Sequence, residues 1–395
     1  MLRVGRAAAL PREVWVLAVA NFVIAVGFGL VAPALPAFAR GFNVSVTAAS
    51  VVVSAFAVSR LVFAPAGGRL VTRVGERWVY LSGLSIVALS TGACAFAADY
   101  WQLLVLRGVG GIGSTMFTVS GVGLLVRLTP PPLRGRASGL WGSSFLLGNL
   151  AGPLLGGGLV TISIRAPFLV YAGALVVAVL VVGVLLRDTV PAGRAAAGEV
   201  TVSLREALIS GAYRAALVSG FAQGWSFGVR VSLLPLFVVE VLARDEAFAG
   251  TALAVFAAGN VAMLLVSGRL SDRVGRKPLV VLGLGVLAAG TVWSGVAGSV
   301  PLFLLATVVA GLGTGLLTPP QQAAVADVLG SGARGGQVLA VFQMATDVGA
   351  VLGPVATGLL ADHFSYTTAF TVTGALALVA LLVWLPARET LVRTT

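Results

Sequence analysis

The stretch Gly68-Arg69-Leu70-Val71-Thr72-Arg73-Val74-Gly75-Glu76-Arg77 returns 200 positions later as Gly268-Arg269-Leu270-Ser271-Asp272-Arg273-Val274-Gly275-Arg276-Lys277. Each copy follows one long apolar run and precedes another. Three further landmarks repeat at nearly the same distance. Leu35-Pro36 returns as Leu234-Pro235, Gly111-x-Gly113 as Gly311-x-Gly313, and Gly148-xxx-Gly152-Pro153 as Gly349-xxx-Gly353-Pro354. A near-constant offset across four separate elements implies two like-folded halves on one chain.

The material between these landmarks is too apolar for a water-soluble fold. Of 395 residues 58% are hydrophobic and 10% charged, where soluble domains carry roughly 25% charged residues. The mean hydropathy is +1.01. A net charge of +12 would suggest nucleic-acid binding in a soluble chain, but here the basic residues sit in alternate loops. Arg3, Arg6 and Arg12 precede the first apolar run. Arg69, Arg73 and Arg77 follow the second, and Arg127, Arg134 and Arg136 the fourth. Arg187, Arg194, Arg205 and Arg214 follow the sixth, Arg269, Arg273, Arg276 and Lys277 the eighth, Arg334 the tenth, and Arg388 and Arg393 the last. The opposite loops hold only Arg40, Arg165 and Arg244. Positive loops stay inside, so both termini are expected in the cytoplasm and the number of spans is even. The first apolar run is long enough to span and is expected to remain as an uncleaved helix. The lone cysteine, Cys94, excludes an intrachain disulfide and reads as a small packing residue.

A helix needs about 20 residues to cross the bilayer. The apolar runs predict spans at 14–36, 46–66, 78–98, 102–126, 137–160 and 166–187, then 213–242, 248–267, 279–298, 301–325, 337–361 and 367–385. The expectation is an all-α membrane protein of twelve transmembrane helices. It has an N-terminal six-helix bundle at 1–190, a cytoplasmic linker at 191–212 and a C-terminal six-helix bundle at 213–395. Two such bundles are expected to be related by an axis along the membrane normal, with a substrate site between them near the midplane.

The repeated loop resembles the signature between helices 2 and 3 of the major facilitator superfamily, a Gly-x-Leu-x-Asp-Arg-x-Gly-Arg-Arg type sequence. The second copy has the acid at Asp272; the first has Thr72 in its place, which caps a helix but carries no charge. Arg107-xxx-Gly111-x-Gly113 resembles the helix-4 Arg motif of proton-driven members. Gly148-Asn149-Leu-Ala-Gly152-Pro153-Leu-Leu-Gly156-Gly157 is similar, at every defined position, to the antiporter motif of the 12-helix drug:proton antiporter families. Small residues four apart let helices approach closely, and proline bends a span. The resemblance implies the major facilitator fold and an efflux function.

Four ionisable residues fall well inside the spans: Arg60, Arg107, Arg230 and Asp347. Such residues are functional candidates by default. Asp347 lies about 15 Å deep, at 1.5 Å per residue, and is the best candidate to carry a proton. The resemblance sets helices 2 and 11 against each other, which makes Arg60 its partner; pairing with Arg230 inside the second bundle is the alternative. Span 1 offers Asn21 but no acid. A cavity lined by Phe28, Met116, Trp141, Phe145, Asn149, Trp225, Phe227, Gln321, Gln322, Phe342, Gln343 and Met344 would suit bulky amphipathic substrates through adaptable apolar contact.

These readings point to a secondary transporter of the bacterial inner membrane. It is expected to export lipophilic drugs or secondary metabolites in exchange for protons, as a monomer in the lipid bilayer, with a small-molecule substrate, no nucleic acid, no metal and no cofactor. A polar-metabolite exporter would need more polar cavity groups. An enzyme is disfavoured: the one histidine, His363, sits at an outer loop, and no metal cluster, phosphate loop or nucleophile–base set is present.

Overall fold

A backbone in lipid has no water to bond, so the apolar runs must satisfy their N–H and C=O groups internally, as helices. The computed structural model describes residues 10–130, 133–186, 203–329 and 336–391, and no strand occurs among them. Arg3, Arg6, Arg187, Arg194, Arg334, Arg393 and most of the expected linker lie outside the described residues, as do the side chains of Thr72 and Arg134.

The first half of the chain folds as α1 (Arg12–Val31), α2 (Ala34–Arg40), α3 (Val46–Val74), α4 (Glu76–Cys94), α5 (Tyr100–Leu128), α6 (Arg134–Val160) and α7 (Ala166–Leu185). The second folds as α8 (Leu204–Ile209), α9 (Gly211–Glu240), α10 (Glu246–Val274), α11 (Arg276–Val296), α12 (Val300–Leu329), α13 (Gly336–His363) and α14 (Tyr366–Trp384). The 200-residue offset extends to the helix starts. It relates Val46 to Glu246, Glu76 to Arg276, Tyr100 to Val300 and Ala166 to Tyr366. Polar side chains set several of these starts: Asp99 accepts from Gln102 N and Asp245 from Phe248 N, each at 2.8 Å.

Two features differ from the expected spans. The first span breaks into α1 and α2 at Ala32-Pro33, because Pro33 and Pro36 together remove two ladder donors, whereas α9 runs unbroken through its single Pro235. Helices α3, α10 and α12 continue past the apolar runs, to Val74, Val274 and Leu329. The apolar run marks the thickness of lipid, not the end of a helix. Eleven helical segments, α1 and α2 taken together, are long and apolar enough to cross a membrane. α4 holds the twelfth position, as the repeat counterpart of α11. Its composition is more polar, but Ser82, Ser85 and Ser90 donate back to the carbonyls of Trp78, Leu81 and Val87 at 2.8, 2.9 and 3.2 Å.

The chain packs as two compact units, Met1–Val31 with Val58–Ala195, and Ala32–Ala57 with Ala196–Thr395. This division differs from the expected 1–190 and 213–395 in one place: α2 and the start of α3 pack with the second half. In the first unit α1 packs on α6 and α7, and α4 on α5 and α7. Tyr80 and Phe117 meet edge to face, and Val14, Leu125 and Ala137 form a cluster with Trp141. In the second unit α9 packs on α13 and α14, and α12 on α10 and α11. Its core gathers Tyr213, Leu284, Leu317 and Trp384, while Phe237 contacts Phe303, Tyr366 and Phe370. Aliphatic side chains such as Val177, Leu180, Leu378 and Leu382 remain exposed on α7 and α14, as lipid-facing surfaces require.

Candidate functional site

The antiporter motif is a seam between two helices. A Cβ added at Gly148 would lie 2.6 Å from Ala25 Cβ, and one at Gly152 2.5 Å from the Val26 carbonyl oxygen and 2.7 Å from Gly29 Cα. At Gly156 it would strike the Leu30 carbonyl. α6 therefore rides backbone against backbone on α1, with Pro153 and Gly157 buried beside the contact. Asn21 is also buried in this interface and donates to the Trp141 carbonyl at 2.9 Å and to Ser144 Oγ at 3.1 Å. The repeat reproduces the seam: Gly349 and Gly353 of α13 abut Phe221 and Trp225 of α9. A second pair of seams went unnoticed in the sequence: Gly83 meets Gly113, and Gly283 meets Gly313, again 200 apart.

The repeated loops turn at Gly75 and Gly275, whose φ angles of +92° and +118° favour glycine. Beyond each turn lies an ion pair. Glu76 at the start of α4 pairs with Arg127 at the end of α5. At the equivalent positions Arg276 pairs with Asp327, Nε to Oδ2 at 3.2 Å. The polarity is reversed between the halves. Arg276 also holds Asp272, the motif acid, and donates to Ser271 Oγ at 3.0 Å. Arg77 donates to the Gly183 carbonyl at 2.7 Å and stacks over Trp78. In the second unit Glu389 accepts from the backbone N–H groups of Arg276 and Lys277 at 2.9 and 3.1 Å and from those of Thr390 and Leu391. Lys277 Nζ donates to the Leu385 carbonyl at 2.7 Å. Burial alone would push the Glu389 carboxyl up; the four N–H donors outweigh it and hold it below the usual carboxylate value. Gly68 and Gly268 lie within α3 and α10; Arg69, Arg73 and Arg273 occupy the last turns of those helices.

At the other end of the second unit, Asp362 of α13 caps α3. Its oxygens accept from Val46 N at 3.0 Å, Thr47 N at 2.8 Å and Thr47 Oγ1. Arg40 Nε donates to Glu240 Oε1 at 2.9 Å, and Tyr366 Oη donates to Glu240 Oε2 at 2.7 Å. Ser54 Oγ donates to the Val351 carbonyl at 2.8 Å. None of these partners was named from the sequence, because each joins residues more than a hundred positions apart.

Of the intramembrane charges, Arg107 is buried in its bundle rather than turned to the surface. Arg60 is half-buried, and its carbonyl accepts from Thr115 Oγ1 at 3.1 Å. Asp347 accepts from Gln343 Nε2, one helical turn away, at 3.0 Å. It makes no ion pair with Arg230, whose guanidinium instead lies 3.4 Å above the Phe256 ring centroid. The cavity candidates divide. Gln321 is fully buried and donates to the Ala216 carbonyl at 3.3 Å; Trp225 Nε1 donates to Thr373 Oγ1 at 3.1 Å; Met116 is buried. These three hold their bundles together. Phe145, Phe227, Gln322, Gln343 and Met344 are exposed, and Phe28, Trp141, Asn149 and Phe342 half-buried. Asn149 Nδ2 donates to the Phe145 carbonyl at 3.0 Å.

A family model described as Major Facilitator Superfamily matches residues 17–242 and again 216–394. The chain is 29% identical over 366 residues to the class E tetracycline resistance protein of Escherichia coli, covering 87% of this chain and 86% of the relative. It is 26% identical over 391 residues to the multidrug efflux protein YfmO of Bacillus subtilis, covering 96% and 94%. Over 175 residues it is 27% identical to the quinolone resistance protein NorA of Staphylococcus aureus, covering 44% and 45%. Among solved structures, a bacterial homolog of the human lysosomal transporter Spinster superposes with a TM-score of 0.82 at 15% identity, covering 95% of this chain and 97% of that one. A POT family transporter superposes at 0.78 with 14% identity, covering 94% and 95%. At these identities the likeness is one of fold.

Proposed function

This chain belongs to the major facilitator superfamily, and on that premise we propose that it exports lipophilic drugs or secondary metabolites in exchange for protons, by alternating access. The observation that carries the reading is the seam of Gly148, Gly152 and Gly156 on α1: the residues that resemble the antiporter motif are also those that admit no side chain. Relatives named for tetracycline, quinolone and multidrug resistance support amphipathic, ring-bearing substrates. Phe28, Trp141, Phe145 and Phe227 supply the matching apolar surface.

Asp347 carries the proton in this reading. A carrier must gain and lose charge without unfolding its surroundings, and the only hydrogen bond to the Asp347 carboxylate among the described residues comes from neutral Gln343. Arg107 and Arg60 set the field it titrates in. Both termini are assigned to the cytoplasm and the chain to the bacterial inner membrane as a monomer.

Efflux from inverted vesicles, with and without a protonophore, tests the proposal. Uptake of a lipophilic dye that collapses with the gradient is the expected result. Asp347→Asn is expected to abolish the pH dependence of transport; a variant with the full pH dependence would remove Asp347 as carrier.

A further inference from the structure

A guanidinium deep in a bundle needs a counter-charge or a polar cage, because an uncompensated ion in an apolar interior is strongly destabilising. Arg230 stands in α9, well inside the span. The Phe256 ring covers one face of its guanidinium, but a cation–π contact engages the face and leaves the N–H donors in the plane unused. No hydrogen bond or ion pair to Arg230 forms among the described residues, whose acids sit at helix ends and loops apart from Asp347, which bonds Gln343. The guanidinium borders a cavity of about 30 Å³. Its walls include Ser226, Thr291, Thr307 and Thr373, all within the second unit. Two of these hydroxyls are committed: Thr307 donates to the Phe303 carbonyl at 2.8 Å and Thr373 to the Ala369 carbonyl at 2.9 Å. Two are not. Ser226 Oγ is buried without a partner, and Thr291 makes no hydrogen bond among the described residues.

We propose that Arg230, Ser226 and Thr291 form a binding site for a small monovalent anion, a halide or a single carboxylate group, enclosed among α9, α10, α11, α12 and α14. One cation and two free hydroxyls, with no acid on the cavity wall, present donors only. The cavity holds one such ion or a water or two, so it selects by size as well as by charge. The bound anion neutralises Arg230 and lets the positive charge remain inside the bundle. The proposal does not rest on the export reading, since it concerns one bundle alone.

Thermal unfolding of the purified full-length protein in detergent tests it, at fixed ionic strength, in sodium chloride, sodium formate and sodium gluconate. A ligand that binds only the folded state raises the midpoint in proportion to the logarithm of its concentration. The midpoint is expected to rise with chloride or formate and not with gluconate, whose carboxylate is too bulky to enter. A rise with chloride alone identifies a halide site; a rise with formate as well identifies one that also accepts carboxylates. Arg230→Met is expected to abolish the difference between salts. Should that variant not fold, Ser226→Ala combined with Thr291→Val keeps the charge and is expected to weaken the apparent affinity about tenfold, the loss of one charge-assisted contact. Identical midpoints in all three salts for the native chain, or an unchanged salt difference in Arg230→Met or in the double variant, would overturn the site.

Discussion

Gly152 and Gly158 stand six residues apart on one helix and predict opposite responses to the same methyl group. At Gly152 the methyl meets Val26 and Gly29 backbone; at Gly158 nothing lies within 4 Å. Gly152→Ala is expected to cost about 1–3 kcal/mol by overpacking, read as a lowered unfolding midpoint together with loss of transport. Gly158→Ala is expected to be neutral or to stabilise by up to about 1 kcal/mol, since alanine holds a helix better than glycine. The spacing of these glycines was legible in the sequence, but the helix they touch was not. Arg230 illustrates the same limit. Its burial followed from its place in an apolar run, yet the expected partner was a carboxylate and the observed one is the π-face of Phe256. Sequence spacing reports which side of a helix a residue occupies and is silent on what arrives from the next helix.

Between elements, the reversed ion pairs define a test that neither pair offers alone. Glu76→Arg sets like charge against Arg127, and Arg127→Asp alone leaves two acids together. The double variant copies the polarity of Arg276 and Asp327 and is expected to regain most of what each single change loses. The coupling should be about 0.5–1 kcal/mol for pairs this exposed, measured as a double-mutant cycle on thermal unfolding. Both pairs were visible as residues 200 apart with opposite sign, but only contact shows that position 76 reaches position 127. The Glu389 clasp adds a pH dependence whose sign follows from its depressed carboxyl. Its contribution is fully present above the ordinary glutamate value of 4.5 and is lost as pH falls through the lower folded value. A spin label at Leu391 is expected to be immobile at neutral pH and to loosen on acidification. In Glu389→Gln it should be loose throughout.

Across the whole molecule, the repeat made the helical order legible, and every helix from α3 to α7 has its counterpart near 200 residues on. The grouping of Ala32–Ala57 with the second half was not legible, because chain adjacency favours the first half. That grouping depends on a few polar contacts, of which Asp362 makes three. Asp362→Ala is expected to cost about 1–2 kcal/mol, the worth of a charged helix cap, and so to speed hydrogen exchange at the Val46 and Thr47 amides at least about fivefold. Unchanged protection there would show that apolar packing alone holds the segment.

Arg40 and Glu240 occupy the same place in the two halves, since they are 200 residues apart in a 200-residue repeat. Two copies of the first half joined in tandem would confront arginine with arginine, and two copies of the second would confront glutamate with glutamate. The pairs at 76 and 127 and at 276 and 327, each contained within one half, would survive either duplication intact. Only a chain whose halves have become unlike can close this outer contact, so the asymmetry of the sequence is itself a structural requirement of the folded protein.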